Sequence, residues 1–487
     1  MPEPRTWQVT VGSAVLGLAL AAGAVSAAGP WDNGQRKAER ARAAATTPTG
    51  GAHHAESRPP AGPQRPAPAP SAAGVLRALD APGTARPADL ATILVPLLAD
   101  PGLGTLRTAS VVDVATGKQL YGEGATTPMT PASTIKIATS VAALSALGPD
   151  HRIPTTVVAS PDGRTVTLVG GGDPTLDRAR LKALADGTAR ALKDRGVAGV
   201  RVAYDTGLYE GPARHPIGPN DNIAPVSALM LDEGRLDDSD SGPAPRTADP
   251  AGDAATAFAE LLGKAGTKVQ GTPTPARAPK APDEPKDPKA PKDPKAAKDP
   301  AAPLARTESA PLSALVERTL THSDNDLAEA LARQTALARK QPASFAGADK
   351  AVRAELAALG LPTAGARFAD GSGLSRDDRV SAALLTGLLT RAADPTRPAL
   401  RPVLTGLPVG GFSGTLEGRF DTAPATNGAG LVRAKTGTLT GVNTLAGTVV
   451  TADGRLLAFA FLAGRTASPY TAQPALDRLS AALAPQG

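Results

Sequence analysis

Hydrophobic and polar positions follow two distinct periods along most of the chain, and these periods separate strands from helices. Period-two alternation and short apolar runs predict strands at 109–114, 118–121, 155–159, 165–168, 200–204, 431–436, 444–450 and 456–462. Apolar residues at helical spacing predict helices at 90–98 (where Pro96 should kink or end the helix), 133–147, 181–192, 312–319, 326–337, 351–359, 382–393 and 475–483. Strands at both ends of a helical middle predict one α/β (α+β) domain split by an insertion.

Two segments lack this periodicity. Residues 29–86 are rich in Ala, Pro, Gly and Arg, and they bury too little apolar surface to offset the entropy of ordering, so we expect a disordered tether. At 285–290 the hexad Pro-Lys-Asp-Pro-Lys-Ala occurs and is repeated at once, so 272–303 is predicted to be a disordered linker. The remaining chain is predicted to form one domain from 87–149 and 305–487, with 150–304 inserted between its halves.

The N-terminus indicates export. Residues 9–28 form an uncharged, mainly aliphatic run, and Val25-Ser26-Ala27 fits a signal-peptidase site. The run is also about long enough to remain as a membrane anchor and tether. Basic residues at 36–42 follow it, which disfavours an anchor with its N-terminus inside. The pattern favours a cleaved signal within 1–28, and both interpretations place the protein outside the cytoplasm, in the cell wall or at the outer face of the membrane.

Composition excludes several classes of function. A net charge of +6 over 487 residues, without a stripe of basic and aromatic side chains, argues against nucleic-acid binding. The absence of cysteine excludes disulfides, thiolate metal sites and cysteine nucleophiles. With only five histidines, a histidine-rich metal site is not expected, and we predict neither a metal nor another cofactor.

The first motif with chemical potential is Pro131-Ala-Ser-Thr-Ile-Lys136 at the start of a predicted helix. Residues three apart lie on one face of a helix, so Lys136 should lie one turn from the Ser133 hydroxyl. A serine needs a nearby base to act as a nucleophile. Lysine can be that base when burial lowers its pKa from about 10.4. Taken alone, the motif is also typical of an ordinary helix start.

The second motif is Ser323-Asp324-Asn325, just before another predicted helix. In an extended stretch, Ser323 and Asn325 project to the same side, where a hydroxyl can relay a proton and a carboxamide can bind an amide. Ser, Asp and Asn are also the residues that commonly cap helices.

The third motif is Lys435-Thr436-Gly437-Thr438, at the end of an apolar run. A cation and hydroxyls on a strand can bind a substrate carboxylate. Gly437 is expected to leave room for a peptide to add to the sheet edge. Strict alternation puts Lys435 and Thr436 on opposite faces, so both reach one site only on a twisted edge strand.

Together, S-x-x-K, S-D-N and K-T-G form the set found in β-lactamases and penicillin-binding proteins. The chain resembles the D-alanyl-D-alanine carboxypeptidase/endopeptidase family, the class C low-molecular-mass penicillin-binding proteins. Further segments typical of that family are Gly170–Leu176, Ala224–Leu229, Asp370–Ser375 and Leu327–Glu329. The resemblance implies a β-lactamase/transpeptidase-like fold, an antiparallel sheet flanked by helices, with a smaller inserted region between the first two motifs.

The resemblance also implies a mechanism on peptidoglycan stem peptides. Ser133 attacks the carbonyl between two D-alanines, Lys136 takes its proton, and Ser323 passes a proton to the departing D-alanine. Asn325 holds a substrate amide, and Lys435, Thr436 and Thr438 hold the carboxylate. Backbone N–H groups of Ser133 and Thr438 form the oxyanion hole. β-Lactams would inhibit by forming a covalent adduct. Carboxypeptidase and endopeptidase action differ only in the leaving group, and these residues are compatible with either.

Three other hypotheses fit the sequence less well. A β-lactamase shares the fold, but no motif identifies a dedicated deacylating base, and Glu329 fits a structural helix better. A non-catalytic cell-wall-binding scaffold would use the same cleft and form no covalent adduct. A Ser-His-Asp hydrolase is disfavoured because no G-x-S-x-G elbow occurs, and His322 has only its position beside Ser323 in its favour.

Overall fold

The structure is a computed structural model, and it describes residues 87–279 and 303–485. The predicted signal or anchor segment at 1–28, the tether at 29–86 and most of the predicted linker lie outside the described residues. Within the described ranges, no helix has both the length and the apolar character required to cross a bilayer.

A five-stranded antiparallel sheet forms the centre of the first region, with strand order β2-β1-β11-β10-β9. Its strands are β1 (Leu106–Asp113), β2 (Gln119–Glu123), β9 (Arg433–Leu439), β10 (Val442–Val450) and β11 (Leu456–Gly464). The helices around it are α1 (Pro87–Leu98), α2 (Lys136–Leu147), α5 (Leu312–Thr321), α6 (Asn325–Ala338), α7 (Phe345–Ala358), α8 (Ala382–Ala393), α9 (Pro402–Thr405) and α10 (Pro469–Ala481).

Both faces of this sheet are buried, which makes the region a three-layer structure. On β11, Phe459 and Phe461 pack towards α1 and α10. The alternate positions Ala458 and Ala460 pack towards α2, α7 and α8. Alternation of side chains along a strand explains this division. The aromatic residues fill one side, while the alanines let helices approach the other closely.

The inserted region has its own sheet and its own core. It contains β3 (Pro154–Ala159), β4 (Thr165–Val169), α3 (Arg178–Asp194), β5 (Gly199–Asp205), α4 (Pro250–Lys264), β6 (Lys268–Val269), β7 (Thr274–Pro275) and β8 (Ala305–Glu308). The strand order is β6-β5-β4-β3-β8, and β7 also pairs with β5. Helices α3 and α4 bury Leu184 and Phe258 against it. Because β8 pairs with β3, this sheet extends beyond the boundary expected at residue 304.

The predicted fold class, an antiparallel sheet flanked by helices with a smaller insertion, is confirmed. Most predicted elements are present, and the differences have local causes. Helix α1 continues through Pro96 to Leu98. Strand β9 continues past the expected end at Thr436, because Gly437 pairs with Thr444 of β10. Helix α4 was not predicted, although Asp249 caps its N-terminus and Pro250 occupies its first turn.

Candidate active site

Ser133 lies on a 3₁₀ turn, Ala132–Ile135, that leads directly into α2. The sequence analysis predicted that Ser133 begins the α-helix, whereas the structure places it in the 3₁₀ turn just before the helix. Ala132 has a φ of +48°, a strained value for a residue with a Cβ. The turn is held by the carbonyl of Pro131, which accepts hydrogen bonds from Thr134 Oγ1 and Thr444 Oγ1, each at 2.7 Å.

Lys136 is fully buried, and its Nζ is surrounded by three oxygen atoms. Nζ lies 2.9 Å from Ser133 Oγ, 2.7 Å from Asn325 Oδ1 and 2.5 Å from the carbonyl oxygen of Ser372. A neutral amine has two hydrogens and one lone pair. Because Asn325 Oδ1 and the Ser372 carbonyl can only accept, they take the two hydrogens, and the lone pair is left for the Ser133 hydroxyl.

The neutral form of Lys136 is more stable, relative to the charged form, than that of a lysine in water. Burial lowers the pKa of Lys136 from 10.5 to about 8. The negative charges of Asp370 and Asp324, with smaller contributions from Glu329 and Asp378, oppose this shift without reversing it. The amine is therefore neutral in a substantial fraction of molecules slightly above neutral pH.

The Ser323-Asp324-Asn325 segment forms the next wall of the site. Ser323 has a φ of +59°, and Asp324 caps α6 by accepting the N–H of Leu327 at 3.0 Å. The carboxamide of Asn325 faces two ways, with Oδ1 towards Lys136 and Nδ2 donating to the carbonyl of Asn222 at 2.9 Å. Asn325 thus orients the amine and also links the motif to the inserted region.

Strand β9 presents its two faces to different surroundings. Thr436 and Thr438 line a cavity of about 300 Å³ together with Ser133, Ser323 and Asn325. Side chains of all three motifs therefore meet in one cleft. Lys435 and Gly437 occupy the opposite, buried face of the strand, as strict alternation requires.

Gly437 packs closely against the Ser133 turn and against strand β10. A Cβ at this position would lie 2.7 Å from the carbonyl oxygen of Pro131 and 2.2 Å from Thr444 Oγ1. The missing side chain therefore allows β9 to approach the Ser133 turn. The expectation that Gly437 makes room for a substrate backbone is replaced by this packing role.

Lys435 is fully buried and is not part of the cavity lining. Its Nζ donates to the carbonyl of Thr436 at 2.8 Å. Burial lowers its pKa well below the usual value, and the charge of Lys136 lowers it further. A carboxylate bound at Thr436 and Thr438 would favour the charged form of this lysine from behind the cleft wall.

The inserted region supplies a wall of the cleft that the motifs did not predict. This wall consists of Asn222, Arg235, Ser241, Gly242, Pro243 and Arg246. Arg235 holds the wall in place, because its guanidinium donates to the carbonyls of Ser241 and Gly242. Thr415 also lines the cleft, and its hydroxyl lies 2.8 Å from Thr436 Oγ1.

A mostly buried ionic network includes Arg235 and Arg246 of this wall. Its acids are Glu233, Asp324 and Asp326, and its bases are Arg235, Arg246 and Arg318. Burial, reinforced by Asp324, raises the pKa of Glu233 to about 9. Burial also acts to raise the pKa of Asp324, but hydrogen bonding to Glu233 and the charge of Arg318 outweigh it and lower that pKa. The network joins the inserted region to the residues on both sides of Asn325.

Two buried clusters among the described residues have the spacing of metal ligands, His215 with Glu329 and Asp370, and the three acids of the ionic network. In the first, Glu329 Oε1 accepts the N–H groups of Gly371 and Ser372, each at 2.9 Å, and Oε2 accepts from Arg333 at 2.9 Å. In the second, arginine side chains contact the acid oxygens. Donor atoms already engaged in this way favour a structural role for both clusters. Glu329 was predicted only to be a structural helix residue. These contacts show more specifically that its carboxylate holds the backbone of Gly371 and Ser372.

His322 lines the cleft and is exposed, as expected for a loop histidine. Other contributors to the site were not predicted from the sequence. These are buried His215 and the Ser372 carbonyl, although Ser372 lies in the Asp370–Ser375 segment already named. The Asp370–Ser375 run was the available signal, since its Asp-Gly-Ser-Gly sequence is typical of a tight loop.

Comparisons with known proteins agree with this geometry. Residues 90–243 and 292–483 match the D-Ala-D-Ala carboxypeptidase 3 (S13) family. The chain is 38% identical over 449 residues to carboxypeptidase DacB of Mycolicibacterium smegmatis, covering 88% of this chain and 90% of the relative. It is 38% identical over 451 residues to a carboxypeptidase of Mycobacterium tuberculosis, covering 89% and 91%. The crystal structure of penicillin binding protein 4 from Haemophilus influenzae matches with a TM-score of 0.63 at 22% identity, covering 82% of this chain and 98% of that chain.

Proposed function

The chain belongs to the D-Ala-D-Ala carboxypeptidase 3 (S13) family and is a serine-type peptidase, and from that premise we propose that it cleaves the D-alanyl-D-alanine bond of peptidoglycan stem peptides through an acyl-enzyme on Ser133. The observation that carries the proposal is the position of Lys136 Nζ, 2.9 Å from Ser133 Oγ with its two hydrogens directed to other acceptors. That arrangement directs a lone pair at the nucleophile.

The first half of the reaction transfers the acyl group to the enzyme. Ser133 Oγ bonds to the carbonyl carbon between the two D-alanines while its proton moves to Lys136 Nζ. The tetrahedral intermediate then collapses as Ser323 gives its proton to the amide nitrogen and receives in turn the proton that Lys136 took from Ser133. The C–N bond breaks, the terminal D-alanine leaves, and an ester remains on Ser133.

The second half restores the enzyme. Water attacks the ester carbon while Lys136 accepts its proton, the C–O bond to Ser133 breaks, and Lys136 returns that proton to Ser133 Oγ. Thr436 and Thr438 line the cleft where the substrate carboxylate would bind, and buried Lys435 would add positive charge behind them. Asn325 would keep Lys136 oriented and present its amide to the substrate.

The substrate places the protein outside the cytoplasm, and we propose that residues 1–28 direct export. We also propose that 87–149 and 305–487 act as the catalytic domain and that 150–304 acts as an insertion, which supports the cleft with the wall described above. β-Lactams would occupy the D-Ala-D-Ala site and acylate Ser133.

The deciding experiment is to incubate the full chain with a fluorescent penicillin and to locate the adduct by mass spectrometry. We expect one long-lived adduct on the peptide that contains Ser133, together with release of D-alanine from a stem pentapeptide. Ser133→Ala should abolish both. Ser140→Ala, which removes another buried hydroxyl from the next turns of α2, should retain both.

Each alternative predicts a different result. Rapid turnover of the penicillin without an accumulating adduct would indicate a β-lactamase. Complete absence of an adduct and of D-alanine release would indicate a non-catalytic wall-binding scaffold and would overturn the proposal.

A further inference from the structure

His215 of the inserted region makes a buried contact with the loop that follows α7. Its Nε2 lies 2.9 Å from Asp370 Oδ2, and the two residues are only 2% and 3% exposed. No step of the proposed reaction uses either side chain. A buried polar pair from two distant segments costs desolvation free energy, so its position beside the active site calls for a physical reason.

The hydrogen bonds determine which ring nitrogen carries the proton. The Nδ1 atom of His215 accepts the backbone N–H of Ile217 at 3.1 Å, so in the neutral ring the proton is on Nε2. Nε2–H therefore donates to Asp370. The same carboxylate also accepts the N–H groups of Gly373 and Ser375, each at 2.6 Å.

The Asp370–Ser375 loop in turn holds the acceptor that faces the proposed base. Asp370 fixes the loop at its start and at Gly373, and Glu329 holds the N–H groups of Gly371 and Ser372. Gly373 lies so close to the Ser133 turn that a Cβ would be 2.1 Å from the carbonyl oxygen of Ala132. Between these fixed points, the Ser372 carbonyl lies 2.5 Å from Lys136 Nζ.

We propose that His215 is a positioning residue for acyl transfer, which holds Asp370 and through it the Ser372 carbonyl that orients the Lys136 amine. The inference rests on the proposed function, because it assumes that Lys136 is the base for Ser133. It assigns the inserted region a part in the chemistry. A misplacement of about 1 Å at a reacting group can cost roughly 100-fold in rate.

The charges around the lysine give this role a specific signature. Asp370, Asp324, Glu329 and Asp378 favour the charged amine, and the charge of Lys136 in turn lowers the pKa of the nearby buried Lys435. Loss of the His215 N–H would loosen the Ser372 carbonyl, an acceptor that stabilises the charged amine. The neutral amine would then be favoured, so the pKa of Lys136 would fall below about 8.

The test measures the rate constant for acylation by a fluorescent penicillin between pH 6 and 10 in the full chain. His215→Phe keeps a ring but removes the donor, and we expect the plateau rate to fall about 10- to 100-fold while the acid limb moves to lower pH. His215→Gln can still donate towards Asp370 and should restore most of the rate and the original limb. Ser110→Ala is the matched control, since it removes a buried side-chain hydrogen bond, 3.0 Å to Thr386, that involves no residue of the Asp370–Ser375 loop.

The outcomes separate this inference from the proposed function. If His215→Phe acylates at the wild-type rate with an unmoved limb, the positioning role is overturned and the proposed function is unaffected. If the wild type itself forms no adduct, both are overturned. Should His215→Phe fail to fold, His215→Asn replaces it, because Asn can accept from Ile217 but is too short to reach Asp370. Equal behaviour of His215→Asn and His215→Gln would then overturn the role.

Discussion

Lys136 and Lys435 are both fully buried at the same cleft, and the charge of Lys136 lowers the pKa of Lys435. Two buried cations at one site disfavour each other's charged form, and burial alone already lowers the pKa of each. The cleft therefore disfavours the state in which both amines are charged, while a bound carboxylate would favour the charged form of Lys435.

The pH dependence of acylation should reveal the neutral form of Lys136. Lys136 has a pKa of about 8, below its usual 10.5, and only the neutral form can accept a proton. The rate should rise about tenfold from pH 7 to 9 and then level off. Lys136→Arg keeps the charge at every pH and should lower the plateau by about 10²- to 10⁴-fold. A rate that keeps rising towards pH 10.5 would contradict the lowered pKa.

Ser323 combines a chemical role with a strained backbone. Its φ of +59° is unfavourable for any residue with a Cβ, so Ser323→Gly should stabilise the fold by about 1 kcal/mol relative to Ser323→Ala, as measured by urea unfolding. Both variants lack the hydroxyl, and we expect both to lose about 10²-fold or more in D-alanine release.

A matched control tests the effect of the positive φ on stability separately from the chemical role. Lys340 has a φ of +54° in the turn after α6. Lys340→Gly should gain similar stability and keep full activity. If Ser323→Gly retained wild-type turnover, the proposed relay of a proton through Ser323 would be wrong.

Gly437 should tolerate no side chain, because a Cβ would collide with the Pro131 carbonyl and Thr444 Oγ1. We expect Gly437→Ala to cost about 1–3 kcal/mol of stability and to slow acylation by displacing β9 from the Ser133 turn. Thermal unfolding and penicillin labelling measure the two effects. Gly418→Ala is the control, since a Cβ there meets nothing within 4 Å. If Gly437→Ala and Gly418→Ala were equally stable, β9 would be able to move away from the Ser133 turn without loss of stability.

Arg246 should be essential to the ionic network. Its guanidinium lies 3.0 Å from Asp326 Oδ2 and 2.6 Å from the carbonyl oxygen of Glu233, with a side chain only 5% exposed. Arg246→Ala leaves buried acids without compensation and should cost about 3–5 kcal/mol in urea unfolding.

The corresponding exposed pair provides the comparison. Arg306 and Glu308 form an ion pair at 2.8 Å with side chains 54% and 40% exposed. Arg306→Ala should cost at most about 1 kcal/mol. A similar cost for Arg246→Ala would mean that water relieves the buried acids.

The sequence predicted local structure and local chemistry better than distant contacts. The helix that begins near Ser133 and ends at Leu147 was predicted because its apolar spacing and its terminating Gly148-Pro149 are local signals. The end of β9 was misplaced because Gly437 is normally read as a strand terminator. The cleft wall at 241–243 and the contact of His215 with Asp370, 155 residues apart, depend on how the inserted region packs. No periodicity in the sequence encodes that packing.

The position of Lys136 also has a consequence for biogenesis. Its Nζ is held by Asn325 and Ser372, which follow it by 189 and 236 residues. A growing chain that has emerged only as far as Ser133 and Lys136 therefore carries the nucleophile without the groups that orient its base. Penicillin labelling should begin only after late segments have closed on the early ones, which would make it a chemical reporter of completed folding during export.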